Sequence, residues 1–177
     1  IKLCESDNRQ YRRAYRSVMP TNLYGPGDNY HHEDSHVVPG LIRRFHEAKL
    51  NRQETVAVWG TGNPRREFLY VDDMAEASIF IHELDKDKFE KSVKKMQSHV
   101  NIGTGIDLTI KELAHTIKQV EGYKGRIVFD KTKPDGTPRK LLNIEKLQKL
   151  GWKAKTQLMP GLIKSYDDYL KNFVQKR

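Results

Sequence analysis

A single cysteine, Cys4, stands in a chain of 177 residues, which excludes an internal disulfide framework and a thiolate metal cluster and suits a reducing compartment. No stretch approaches the roughly 20 apolar residues that a membrane-spanning helix needs, and no basic-then-apolar leader opens the chain, so neither insertion nor export is signalled. A cytoplasmic location is therefore expected. The usual nucleic-acid modules are missing as well: there is no zinc-finger spacing and no aromatic RNP signature. The net charge of +9 comes from 32 Lys and Arg mixed along the chain with 23 acidic residues. No nucleic-acid partner is expected from that spread, and an anionic small molecule becomes the class to look for. Internal repeats and low-complexity tracts are also absent.

What is present is the composition of a folded domain, with 37% hydrophobic and 31% charged residues and enough length for a sizeable core. Residues 1–15 read as a helix with a ragged start, and Ile1 has no cap residue before it, so this helix is expected to continue a longer one. Residues 15–24 read as one strand running into the Gly25-Pro26-Gly27-Asp28 turn. Val38, Leu41, Ile42 and Phe45 have helical spacing over 35–50, with Ser35 as N-cap and Pro39 in the first turn. Strands follow at 55–59 and 66–71, joined by the turn 60–64, and Asp72 or Asp73 is expected to cap a helix over 74–84. The lysine-rich stretch 85–95 reads as a solvated helix end and loop, and 99–102 as a strand stopped by Gly103.

Thr109 and Glu112 have capping-box spacing ahead of the apolar face Ile110, Leu113, Ala114 and Ile117, which predicts a helix. A strand at 126–129, a polar loop at 131–140 and a helix at 143–150 ended by Gly151 come next. The final helix, 159–174, is expected to bury Leu162, Ile163, Tyr166, Leu170 and Phe173. Strands alternating with helices place the chain in the α/β class.

The glycine pairs at Gly25, Gly60 and Gly103 do not make a dinucleotide fingerprint, which needs three glycines leading from a strand directly into a helix; they read as turns. His31, His32 and His36 form the densest histidine group, but adjacent imidazoles diverge and no cysteine or His-Glu-x-x-His pattern supports a metal site. His36, at a helix start after a strand and loop, is the candidate for chemistry. Trp59, Arg65 and Arg66 around one glycine turn, with Asp135, Arg139 and Lys140 in a later loop, offer forked cations for diphosphate and a carboxylate for hydroxyls.

Several segments occur in the order seen in the GDP-L-fucose synthase family of the extended short-chain dehydrogenase/reductases. They are Met19 through Pro26 (MPTNLYGP), Asp28-Asn29, Ser35-His36-Val37, Val58-Trp59-Gly60, Arg65-Arg66-Glu67-Phe68 and Lys133 through Lys140 (KPDGTPRK). The chain resembles that family over essentially its whole length. The resemblance implies the C-terminal part of a Rossmann-type NAD(P)-binding fold with a small α/β substrate-binding domain. Residues 1–30 would close the cofactor domain, 31–177 would be mainly substrate domain, and about 67–84 would return to the Rossmann part.

The implied activity is 3,5-epimerisation and NADPH-dependent 4-reduction of GDP-4-keto-6-deoxy-D-mannose, in a homodimer. The alternatives are another sugar-nucleotide epimerase or dehydratase, or a GDP-sugar-binding piece without turnover. By the same resemblance His36 is the epimerisation acid and lies by the cofactor with Pro20, Thr21, Asn22 and Leu23. Arg44, Trp59, Arg66, Asp135 and Lys140 hold the GDP-sugar, NADP(H) is the cofactor, and no metal is implied. The family's glycine-rich motif, catalytic Tyr and Lys, and partner cysteine are not among these residues. Cys4 falls after that motif and reads as a packed helix residue. These 177 residues alone are expected to reduce nothing.

Overall fold

A computed structural model of the protein describes residues 1–94 and 96–175. Lys95, the end of the lysine-rich stretch 85–95, lies outside the described residues. Helix α1 (Lys2–Tyr11) stops earlier than its spacing predicts because Arg12 takes the left-handed conformation, φ 52°, and turns the chain out. Cys4 sits half-buried on it.

Residues 15–24 form two strands in place of one: β1 (Ser17–Pro20) and β2 (Asn22–Tyr24). Thr21 separates them and gives its N–H to the Ile102 carbonyl at 3.0 Å. They then diverge. Strand β1 pairs in parallel with His99–Ile102, whereas β2 pairs in parallel with Arg65–Tyr70.

Helix α2 (Val37–Leu50) starts one residue later than expected, with His36 as its N-cap in place of Ser35. Its first turn accommodates Pro39, which needs no amide hydrogen there. Strand β3 (Thr55–Trp59) alternates exposed and buried residues, and β4 (Arg65–Tyr70) runs without a loop into α3 (Val71–Glu83). Neither Asp72 nor Asp73 caps α3, because the strand enters the helix directly at Tyr70. Asp73 is buried and accepts instead from the Lys155 and Thr156 amides and the Thr156 hydroxyl at 2.8–3.0 Å. A short helix, α4 (Lys86–Ser92), is capped by Asp85, whose carboxylate accepts from the Lys88 amide.

After β5 (His99–Ile102) comes β6 (Asp107–Thr109), then α5 (Ile110–Glu121), which has both halves of the expected capping box. Strand β7 (Arg126–Asp130) pairs with β3, and β8 (Arg139–Lys140) ends the polar loop 131–140 as a strand on β4. Helix α6 (Glu145–Leu150) is shorter than predicted, since the Asn143 side chain accepts the Glu145 amide and turns the chain just ahead of it. The last helix, α7 (Leu158–Tyr169), becomes a π-helical turn over Leu170–Val174. Ile163 and Phe173, expected inside, are 46% and 39% exposed: Ile163 lies off the buried face of Leu162, Ser165 and Tyr169, and at Phe173 the widened turn shifts the periodicity that a regular helix would continue.

Strand β4 holds the molecule together. Its residues alternate across the sheet, so Phe68 and Tyr70 enter one hydrophobic cluster and Leu69 the other. The first cluster packs α2, α5 and α7 around Phe45, Leu41 and Leu113. The second gathers Ile81, Val100, Ile102, Leu147 and Trp152. Edge to edge, β4 pairs with β2, β6 and β8.

Within β4, Glu67 is wholly buried. Its carboxylate accepts the Thr104, Gly105 and Leu142 amides at 2.7–3.1 Å, and its backbone carbonyl accepts the Asn22 side chain at 2.7 Å. These bonds tie the β1–β2 junction, the Gly103 turn and the segment after β8 to a single residue. These partners offset the cost of burying the Glu67 carboxylate, which unsatisfied would be several kcal/mol. No helix among the described residues is long and apolar enough to cross a membrane.

Candidate functional site

Two clefts meet at the N-terminus of α2. The first, about 490 Å³, is walled by residues 20–28, by 36–38, and by Phe68 and Val71. It brings together every residue expected at the cofactor: Pro20, Thr21, Asn22, Leu23 and His36. Here β2 ends at Gly25, whose φ of +155° lies beside Val71; a Cβ at Gly25 would strike the Val71 side chain, so the turn can close only with glycine. Asn22 and Thr21 are held by the Glu67 carbonyl, while His36 stays exposed as the N-cap of α2, its own carbonyl accepting the Gly40 amide at 2.9 Å.

Asp28 lies in this same cleft. Burial raises its carboxyl above the ordinary range, against the opposing pull of the Asn29 amide and of His36. Polar groups are few, and Pro20, Leu23, Val37, Val38, Phe68 and Val71 supply an apolar lining. An apolar lining with a few polar groups is the usual make-up of a small-ligand cleft.

The second cleft, about 660 Å³, holds Arg44 and Trp59 and shares Val37 with the first. Arg44 is fixed by bonds to the Gly40 and Ala57 carbonyls, both at 3.1 Å, and burial lowers its pKa. Its guanidinium carbon lies 5.9 Å from the centre of the Trp59 ring, which is itself 64% exposed. From the other loop, Lys133 brings its ammonium to 5.6 Å from that ring.

The remaining three expected residues lie outside the lining of this cleft, on β4 and in the loop 131–140. Asp135 accepts from the Thr61 amide at 2.8 Å and the Thr61 hydroxyl at 2.6 Å, and these bonds hold its carboxyl below the usual range. Arg66 reaches the Thr137 carbonyl at 2.6 Å, and Lys140 pairs with Arg66 across β4 and β8. Arg65 and Arg139 are occupied differently. Both grip Asp107, so their charges are spent within the fold, with Asp107 held low by Arg139 first and Arg65 second. Arg66 and Lys140 have no carboxylate partner among the described residues.

Among the described residues no group of three or more His, Cys, Asp or Glu side chains is placed to hold a metal ion. His31 serves its own turn, its Nδ1 accepting from the Glu33 and Asp34 amides. Three participants escaped sequence reasoning: Asp28, Lys133 and Glu67. The last had a legible signal, since a lone carboxylate leading the apolar run Phe68-Leu69-Tyr70 announces a buried acceptor; the other two look like ordinary turn residues.

Residues 1–103 match the family model described as the NAD dependent epimerase/dehydratase family. The chain belongs to that family. Among members, a GDP-L-fucose synthase of Escherichia coli K12 is 59% identical over 172 residues, covering 97% of this chain and 54% of that protein. A protein named putative GDP-L-fucose synthase 2 from Arabidopsis thaliana is 51% identical over all 177 residues, 51% of its own length. The chain thus spans about half the length of the curated family members it matches. A solved structure of a GDP-D-glycero-L-gluco-heptose synthase from Campylobacter jejuni, in the presence of NADPH, superposes with a TM-score of 0.85 at 33% identity, over 95% of this chain and 57% of that one. This epimerase/dehydratase family therefore accounts for the α/β fold.

Proposed function

We propose that the chain supplies the sugar-nucleotide site and the epimerisation acid of a GDP-L-fucose synthase, converting GDP-4-keto-6-deoxy-D-mannose by 3,5-epimerisation and NADPH-dependent 4-reduction. The observation that carries this reading is the meeting of two clefts at Val37, next to His36: an apolar one holding Pro20, Thr21, Asn22, Leu23 and His36, and a cationic, aromatic one holding Arg44 and Trp59. The names of the similar proteins reported above support it.

NADPH, when bound, supplies hydride to the C4 ketone; the apolar cleft suits its ring, and Asn22 and Thr21 stand where they can orient its amide. The rest is the work of side chains. A ketone at C4 acidifies the hydrogens at C3 and C5, so a base can remove each to leave an enolate. His36, free of other duties and exposed at the helix start, returns the proton on the opposite face. Arg44, Arg66 and Lys140 hold the diphosphate, and Trp59 covers the base.

The division into a cofactor part (1–30 and about 67–84) and a substrate part belongs to this proposal, supported by the alternation of β4 between two hydrophobic clusters. So do a cytoplasmic location and a homodimer, the latter to be checked by gel filtration at several concentrations. The deciding test is His36→Asn. Epimerised product should vanish while GDP-sugar binding persists; unchanged product formation would remove His36 from the mechanism, and product of a different stereochemistry from the native protein would favour another sugar-nucleotide enzyme.

A further inference from the structure

Strand β1 has the His36 cleft at one end, where Pro20 joins the wall. At its other end, roughly 10 Å back along the strand, a separate hollow of about 330 Å³ opens between the turn 12–16 and helix α4. Arg12, Arg13, Arg16 and Lys86 line it, against a single carboxylate, Glu90, among the described residues of its wall. Even with Lys86 set against Glu90 at 3.8 Å, the three arginines remain unbalanced.

The turn that carries these charges is held in place. The Asn8 side chain donates to the Tyr15 carbonyl and accepts the Tyr15 amide, both at 2.8 Å, so a single side chain closes the turn from both sides. Arg16 is anchored as well: its guanidinium donates to the Ile81 and His82 carbonyls near the end of α3 and lies 4.8 Å from the centre of the Phe89 ring. Arg12 and Arg13 are different. Both are exposed, and neither side chain has a hydrogen bond or a carboxylate partner among the described residues. Arg12 also occupies the left-handed C-cap of α1 at φ 52°, where glycine would be the relaxed residue. No packing explains a strained, unpaired arginine in a clasped turn. Fixed guanidinium forks are suited to phosphate, since each can hold two oxygens and little ordering is left to be done on binding.

We propose that this hollow is a second anion site, which takes the diphosphate or triphosphate group of a small molecule at the end of β1 remote from the His36 cleft, with Arg12 and Arg13 as its direct contacts. The excess of cations favours two or more phosphates over one. Inorganic pyrophosphate and the phosphate chain of a nucleotide share this chemistry. The site stands apart from the sugar-nucleotide reading above and does not depend on it.

The test is calorimetric titration with inorganic pyrophosphate, run in an Arg66→Ala, Lys140→Ala background so that the cations near Trp59 do not contribute. Arg12→Gly is the informative variant, because it removes the cation and relieves the left-handed strain together. Pyrophosphate should bind about fivefold more weakly, the scale of one exposed charge-assisted contact, while the thermal unfolding midpoint holds or rises. Arg13→Gln should have a similar effect, and the two together a larger one. ATP sensitive to the same variants and bound more tightly than pyrophosphate would assign the site to a nucleotide; equal affinities would assign it to the phosphates alone. Pyrophosphate affinity unchanged in both variants overturns the proposal, and inorganic phosphate bound as tightly as pyrophosphate overturns the polyphosphate assignment. Random-sequence single-stranded DNA bound through Arg12 and Arg13, with no pyrophosphate binding, would overturn it in favour of a nucleic-acid surface.

Discussion

The cleft around His36 takes its walls from residues 20–28 and 36–38, with Phe68 and Val71 behind them, whereas the cationic surface around the Trp59 ring is assembled from Arg44 on α2, the end of β3 and Lys133 from the loop 131–140. One is built mostly from residues 20–38, closed by one residue of β4 and one of α3. The other exists only where distant segments meet, held by the Asp135–Thr61 clasp and by Arg66 on the Thr137 carbonyl. The contiguous cleft should respond to substitution in its chemistry and hardly in its assembly; the composite groove should lose affinity whenever its clasps fail, even at residues that touch no ligand.

The largest effect expected on this comparison is at the contiguous cleft. His36→Asn should lower the epimerisation rate by a factor of about 10²–10⁴, the usual contribution of a positioned acid, with GDP affinity within twofold of native. Solvent-deuterium incorporation at C3 and C5 reads it directly; a comparable fall in affinity would mean that the two clefts are not separable.

The composite groove is tested next by Gly60→Ala. Left-handed backbone at φ +79° costs a residue with a Cβ about 1–2 kcal/mol, and displacement of Asp135 adds a loss of GDP binding. Native affinity in a destabilised Gly60→Ala protein would show that the clasp is dispensable.

A third prediction concerns the core under the groove. Glu121, at the end of α5, is buried, and desolvation pushes its pKa up to about 9, against a modest opposing pull from Lys49. Neither carboxylate oxygen has a hydrogen-bond partner among the described residues. The folded-state value lies above the ordinary one of 4.5, so the protonated form is favoured by folding. Its stabilising contribution is whole below about pH 4.5 and is lost as pH rises towards 9. Glu121→Gln should therefore flatten this part of the pH dependence and raise the unfolding midpoint relative to native more at pH 8 than at pH 5. A constant difference across that range would contradict it.

The smallest effect is expected at the capping box. Thr109→Ala removes the acceptor for the Glu112 amide at 3.0 Å and should cost about 1 kcal/mol in chemical denaturation, leaving both clefts as they are.

Much of the helical framework could be read directly. The capping box at Thr109, the apolar face of α2 and the stop at Gly151 depend on neighbours within one or two turns, and those neighbours are adjacent in the sequence. Strands β6 and β8, of three and two residues, carry no periodicity to read; pairing with β4 defines them. Asp73 shows the same limit from another side. It has the identity of a cap and the place of one, yet its carboxylate is taken by amides more than 80 residues on.

The site divides in the same way. His36 could be named as a candidate from residue type and its place at a helix start after a strand and loop, whereas the 20–23 segment is named through the family resemblance alone. Lys133 and Asp28 could not, because a turn lysine or aspartate has the same local appearance whether it faces solvent or a cleft.

By itself, then, the sequence determined the α/β class, most of the helices and the pool of residues from which a cationic, aromatic site could be built. These follow from short-range periodicity, caps and side-chain chemistry. Only the tertiary structure decided which cations are neutralised, as Arg65 and Arg139 are by Asp107, and which stay available, as Arg66 and Lys140 do. It also decided that Lys133 hangs over Trp59. Charge pairing and ring contact depend on distances of a few ångströms between segments tens of residues apart, and those distances arise only when β4 gathers its partners.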